Sequence, residues 1–187
     1  MNLTKAHEKE LYNSGDLSLV QAVYTLNGDF YARGEYLKGD SSVIVIIENE
    51  RNEIAFYKQF STTTGTDDAS LLTTEIYREG FTPVQTALEL ADDGFGITLK
   101  NPTLLTPLPL HFSENTDENF YVVYGRCSEF NEEEQGNELF WIHEQNAFIR
   151  IDHQLRKATP FALEHDGACL NAISLTALLI FKNMYNL

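Results

Sequence analysis

Cysteine is almost missing from this chain of 187 residues. Cys127 and Cys169 stand alone, with no neighbour at metal-ligand spacing, which excludes a disulfide-stapled scaffold and a zinc-finger type of site. Both read as reduced thiols of a cytoplasmic protein. Basic residues are scarce as well: Lys and Arg total 13 against 28 Asp and Glu, for a formal net charge of −15. So acidic a chain is a poor partner for nucleic acid or an anionic membrane surface. It still admits a small phosphorylated ligand, because bound metal ions invert charge locally. No stretch reads as a membrane span: the most apolar one, near the C-terminus, holds Asn171, Ser174 and Thr176 and is broken by Lys182. A buried helix is expected there. The opening MNLTKAHEKE has no apolar core of the secretory kind. The five histidines are scattered, and no Gly-x-Ser-x-Gly, Walker or Rossmann pattern occurs.

What remains is a globular composition, 43% hydrophobic with 12% aromatic residues. It suits one full domain, or one domain with a small added element. The most informative stretch runs from Thr73 to Ile97. Thr82 is a good N-cap, Pro83 occupies the first helical position, and Gln85 completes a capping box three residues on. The spacing predicts a short helix ended by Gly94 in the left-handed conformation. Val84, Ala87, Leu88 and Ala91 recur as one apolar face.

Glu89, Asp92 and Asp93 fall on the opposite side of that helix. Like charges at this spacing repel, and they crowd the negative end of the helix dipole. A divalent cation such as Mg²⁺ would relieve both penalties; a solvated acidic face in an acidic protein explains the same residues without one.

Elsewhere the chain reads mainly as strands. Leu17 to Leu37 forms a hairpin pattern around Asn27-Gly28-Asp29. Val43 to Ile47 is a continuous apolar run, the mark of a strand buried on both faces. Glu48 to Asn52 is a polar turn, and Glu53 to Phe60 the returning strand. Phe120 to Tyr124 is a further strand, Glu132, Glu133 and Glu134 lie in an acidic loop, and a closing helix is expected from about Ala168 to Tyr185.

The stretch from Thr73 to Ile97 resembles a Nudix box: Gly, five residues, Glu, seven residues, then Arg-Glu-apolar-x-Glu-Glu-x-Gly-apolar. Glu89-Leu90-Ala91-Asp92-Asp93 matches its Glu-apolar-x-Glu-Glu part, with aspartates for the paired glutamates. Leu88 stands at the arginine, Thr74 at the first glycine, Gly80 at the lone glutamate and Phe95 at the second glycine. The element order from about Leu11 to the C-terminus is similar to the ADP-ribose and nucleoside-diphosphate-sugar pyrophosphatase branch of that superfamily. The resemblance implies an α/β fold, a Nudix-type α/β/α sandwich with a mixed sheet. A small N-terminal β subdomain over residues 1–40 would precede a Nudix-like domain over 41–187.

It further implies Mg²⁺ (or Mn²⁺) held by Glu89, Asp92, Asp93 and the Thr73 carbonyl. Lys58, in Lys58-Gln59-Phe60-Ser61, would contact substrate phosphate. Glu132, Glu133 or Glu134 would supply a further metal ligand or general base. The implied reaction is hydrolysis of the pyrophosphate of a nucleoside diphosphate sugar such as ADP-ribose. The changed box also fits an inactive Nudix-fold protein that binds a nucleotide or a protein. In this branch the N-terminal hairpin commonly packs on a partner chain, so a homodimer is expected, with neither nucleic acid nor membrane as partner.

Overall fold

The computed structural model describes residues 3–14, 18–61, 66–76, 80–111, 116, 118–130, 139–148 and 169–185. The chain divides into two compact units, Met1–Ser42 with Leu108–Phe120, and Val43–Pro107 with Tyr121–Leu187. The first unit thus joins the N-terminal part of the chain to a segment from its middle.

In the first unit, β1 (Leu3–Asn13), β2 (Ser18–Leu26) and β3 (Asp29–Lys38) form an antiparallel sheet in that order. The β2–β3 turn lies at Asn27 and Gly28, both with positive φ (52° and 97°), as a two-residue hairpin of this hand requires. Strand β1 has no counterpart in the sequence reading. It is exposed along its whole length, so it carries no in–out alternation to betray it. Side chains tie it to β3 across β2: Glu8 accepts hydrogen bonds from Lys5 at 2.6 Å and from Tyr36 at 2.8 Å. Those two bonds, Lys5 first, hold the Glu8 carboxyl down at about 2. The same unit holds β9 (Leu110–His111), paired with Asn119 and Phe120. At Gly39 an added Cβ would stand 2.9 Å from the Glu118 Cβ, a close approach that glycine permits.

The second unit is built on β4 (Ser42–Glu48), whose residues are all buried. Its sheet runs β12-β6-β5-β4-β10-β8, with β11 on β5 and β7 on β4. The strands are β5 (Glu53–Ser61), β6 (Thr66–Ser70), β7 (Leu72–Glu75), β8 (Ile97–Leu104), β10 (Asn119–Phe130), β11 (Leu139–His143) and β12 (Cys169–Leu170). β12 meets β6 in parallel, while β5–β6, β5–β11 and β8–β10 are antiparallel, so the sheet is mixed.

Alternation along β4 sends side chains to two faces. Val43, Val45 and Ile47 join the cluster that α1 (Pro83–Phe95) caps with Ala87, Ala91 and Phe95. On the other face, Glu48 meets Tyr124, whose ring packs 4.9 Å from Phe181 of α3 (Ala172–Tyr185). A short helix, α2, covers residues 144–148. The mixed sheet thus lies between α1 and α3.

Both long helices depart from their expected limits. α1 does not stop at Gly94; it continues through Phe95, and Gly96 (φ 63°) makes the left-handed cap, donating to the Ala91 and Asp92 carbonyls. Burial of Phe95, 5.7 Å from the Tyr57 ring, accounts for the extra residue. α3 starts at Ala172 instead of near Ala168, because the Asn171 carboxamide oxygen accepts the Ser174 N–H and caps the helix there. Its buried Ser174 hydroxyl accepts the Leu71 N–H at 2.9 Å, which pins α3 to the β6–β7 junction.

The capping box of α1 forms as read, with Thr82 and Gln85 exchanging hydrogen bonds. Thr82→Ala and Gly96→Ala are each expected to cost about 1 kcal/mol, and to add because the sites share no partner. Urea denaturation checks this; an unchanged midpoint for either variant would contradict the capping account.

Candidate functional site

Helix α1 presents its acids as the sequence arranged them, but with different neighbours. The buried side is Thr86, Ala87, Ala91 and Phe95. Leu88, expected on the apolar face, is 37% exposed, because the stripe that meets the sheet advances by four residues from Ala87. Asp92 and Asp93 are exposed and Glu89 is half-buried. Glu89 and Asp93, one turn apart, line a cavity of about 220 Å³ with Thr74, Thr86 and Leu90. On their other side they share with Leu88, Asp92, Ile97 and Thr98 a second cavity of about 430 Å³. Glu89 is thus common to both.

Thr73 sits in β7 with its hydroxyl donated to the Leu71 carbonyl at 3.0 Å; its neighbour Thr74 is the residue that lines the cavity with Glu89. Lys58 lies in β5 opposite Ala69 of β6 and is half-buried. Tyr57 turns toward Phe95 on the α1 side, so alternation directs Lys58 to the opposite face of the sheet. Glu132, Glu133 and Glu134 lie outside the described residues.

Among the described residues, no three His, Cys, Asp or Glu side chains converge into a group able to hold a metal ion. The described residues by themselves thus form no enclosed cage. This remains compatible with Mg²⁺, which keeps several waters and is commonly held by one or two carboxylates together with substrate phosphates. Glu89 and Asp93, neighbours at i and i+4 on one cavity wall, suit that arrangement. Helix α1 has no basic residue in its last turn to neutralise them.

A second polar cluster was not legible in the sequence. Glu48, read as part of a turn, is the last residue of β4 and is buried. Its carboxylate accepts the Tyr124 hydroxyl at 2.5 Å and pairs with Arg126 at 3.6 Å, while Arg126 Nε donates to the Tyr124 oxygen at 3.2 Å. Nothing in a polar run such as Glu48-Asn49-Glu50-Arg51 marks its first member as the buried one.

No protein-family model matches the chain, and no curated protein does. A solved structure does: the crystal structure of an ADP compounds hydrolase, at a TM-score of 0.68 and 11% sequence identity, covering 100% of this chain and 95% of that one. Identity so low shows the fold alone. The fold is the Nudix-type α/β fold, with a mixed sheet and few helices. No described helix is long and apolar enough to cross a membrane.

The Glu48 cluster sets a pH dependence. Burial, then the Glu48 hydrogen bond, pushes the Tyr124 hydroxyl up to about 12, above the ordinary tyrosine range. The folded state therefore favours neutral Tyr124; its contribution is complete below pH 10 and is lost as pH rises through 12. Tyr124→Phe is expected to cost about 1–3 kcal/mol at neutral pH, by leaving Glu48 short of a donor. It should also flatten the loss of stability between pH 10 and 12. Equal alkaline slopes for the two proteins in denaturant titrations would refute this.

Proposed function

We propose that this chain is a slow Nudix-type hydrolase that cleaves the pyrophosphate of a nucleoside diphosphate sugar such as ADP-ribose. The observation that carries the reading is the pair Glu89 and Asp93 on one wall of a cavity beside α1, in a chain of Nudix-type fold. Glu89 and Asp93 would hold Mg²⁺ or Mn²⁺, with Asp92 adjacent in the second cavity. The bound ion supplies charge neutralisation at the phosphates. Thr74, on the same wall, offers a hydroxyl for hydrogen bonding to a ligand oxygen or a water, whereas the Thr86 hydroxyl is donated to the Thr82 carbonyl. The capped first turn of α1 fixes the helix that carries the carboxylates. A carboxylate from Glu132, Glu133 or Glu134 would take the proton of the attacking water.

Leu88 favours a second reading, in which the same cavity binds a nucleoside diphosphate compound without turning it over. An apolar side chain cannot orient Glu89 as the arginine of a Nudix box would. Dimerisation through the N-terminal sheet is likewise a proposal. It is supported by the exposed Leu3, Tyr12, Phe30 and Tyr31 of β1 and β3. Light scattering at micromolar concentration should give twice the 21.2 kDa chain mass; the monomer mass would refute it.

Removing one carboxylate tests the metal site. Millimolar Mg²⁺ or Mn²⁺ should raise the wild-type melting temperature by mass action, equivalent to about 2.7 kcal/mol at a hundred times Kd. Glu89→Gln should melt higher than wild type without metal, because repulsion is relieved, and should respond less when metal is added. Leu88→Arg, at an exposed position, should fold normally and increase hydrolysis of ADP-ribose. Equal metal responses in wild type and Glu89→Gln, with no hydrolysis of any diphosphate sugar, would reject the enzyme.

A further inference from the structure

Beyond the acidic helix, the second unit carries a groove of about 690 Å³, within the size range of small-molecule sites. Its floor is aromatic. Trp141 and Phe130 meet edge to face, with ring centroids 5.8 Å apart and planes at 82°, and Leu139 extends the apolar surface. Trp141 and Leu139 alternate with Phe140 along β11, and they pack against the apolar cluster that α1 covers. The groove is therefore on the α1 side of the sheet.

The rim is polar and held in place. Asn49 Oδ1 accepts the Arg51 and Glu53 N–H groups, and Asn49 Nδ2 donates to the Glu53 carboxylate at 2.8 Å. Glu50 and Glu129 add exposed carboxylates. Burial, then the charge of Glu50, pushes the Cys127 thiol up, so this wall is neutral at physiological pH. A rim with three carboxylates and one arginine repels phosphate and accepts N–H groups.

The groove also adjoins the acidic cavity. Phe130 pairs with Ile97 across β10 and β8. The Ser128 hydroxyl, in the groove, donates to the carbonyl of Thr98 at 3.1 Å, and Thr98 lines the cavity with Asp92 and Asp93. One interstrand step, about 5 Å, separates the two linings.

We propose that this groove takes the base of the nucleoside, as a flat ring laid in the Trp141–Phe130 corner with an exocyclic amino group donated to the acidic rim. The inference deepens the hydrolase reading and rests on it for the phosphate end, which the rim turns outward toward α1. Adenine, guanine and cytosine carry the amino group; uracil and thymine lack it and leave the rim acceptors unpaired.

Trp141 is the only tryptophan of the chain, so its emission reports the groove directly. Adenosine and cytidine, titrated into the full chain without divalent cation, should change that emission saturably. Uridine should bind at least about tenfold more weakly. Ser128→Arg, at an exposed strand position, obstructs the groove and offsets part of its acidic rim, and should weaken adenosine about tenfold or more. Should that variant fail to fold, Glu50→Gln, in an exposed turn, should weaken adenosine about threefold. Glu89→Gln should bind adenosine as wild type does. An emission unchanged by adenosine, or equal binding by wild type and the groove variant, overturns the base site even if ADP-ribose is hydrolysed. Intact adenosine binding with no cation response and no hydrolysis leaves the groove standing and removes the enzyme.

Discussion

Burial of β4 on both faces is the constraint on which the second unit depends. Five consecutive aliphatic residues, Val43 to Ile47, are completely removed from solvent. At about 1.5–3 kcal/mol each before entropy is counted, they supply on the order of 10 kcal/mol. A strand of this kind cannot sit at an edge or face water on one side. It needs a cover on each face, and α1 and α3 are those covers. The positions of the candidate groups follow from that division. Glu89, Asp93, Trp141 and Phe130 belong to the α1 side, while Glu48, Tyr124 and Phe181 belong to the α3 side.

Electrostatics work against packing at α1. The helix is anchored by small residues, Ala87 and Ala91, that bring it close to the sheet, and by Phe95 at its end. Three acids occupy its last two turns, at the negative end of the helix dipole and with no basic residue in the final turn. In a chain of formal net charge −15 this adds repulsion where it is least favourable. Packing holds the helix regardless, so the acids persist as a concentrated negative surface flanked by two cavities. The Glu48 cluster solves the opposite problem: a buried carboxylate is balanced by a hydroxyl donor and a guanidinium.

The readable parts of the fold were those governed by local rules. The hairpin turn at Asn27-Gly28, the capping box at Thr82 and Gln85, and the doubly buried run at β4 each depend on a few neighbouring residues. β1 escaped because all its residues are exposed, so no buried face marks the strand. Leu88 was misplaced because the apolar face of α1 is set by where the sheet lies, which periodicity gives only to within one residue.

By itself the sequence determined the hairpin turn at Asn27-Gly28, the buried run of β4, the capped start of α1 and the acidic cluster of Glu89, Asp92 and Asp93. These depend on side-chain period, turn chemistry and composition, all properties of short segments. The tertiary structure alone decided that Thr74, not Thr73, lines the cavity with Glu89, that Lys58 points away from α1, and that Glu48 is buried. It also decided that Phe130 and Trp141, on separate strands, meet at a right angle beside Ser128. Such juxtapositions arise from strand register between residues far apart in the chain, and register is fixed by the burial of whole faces, which no local segment encodes.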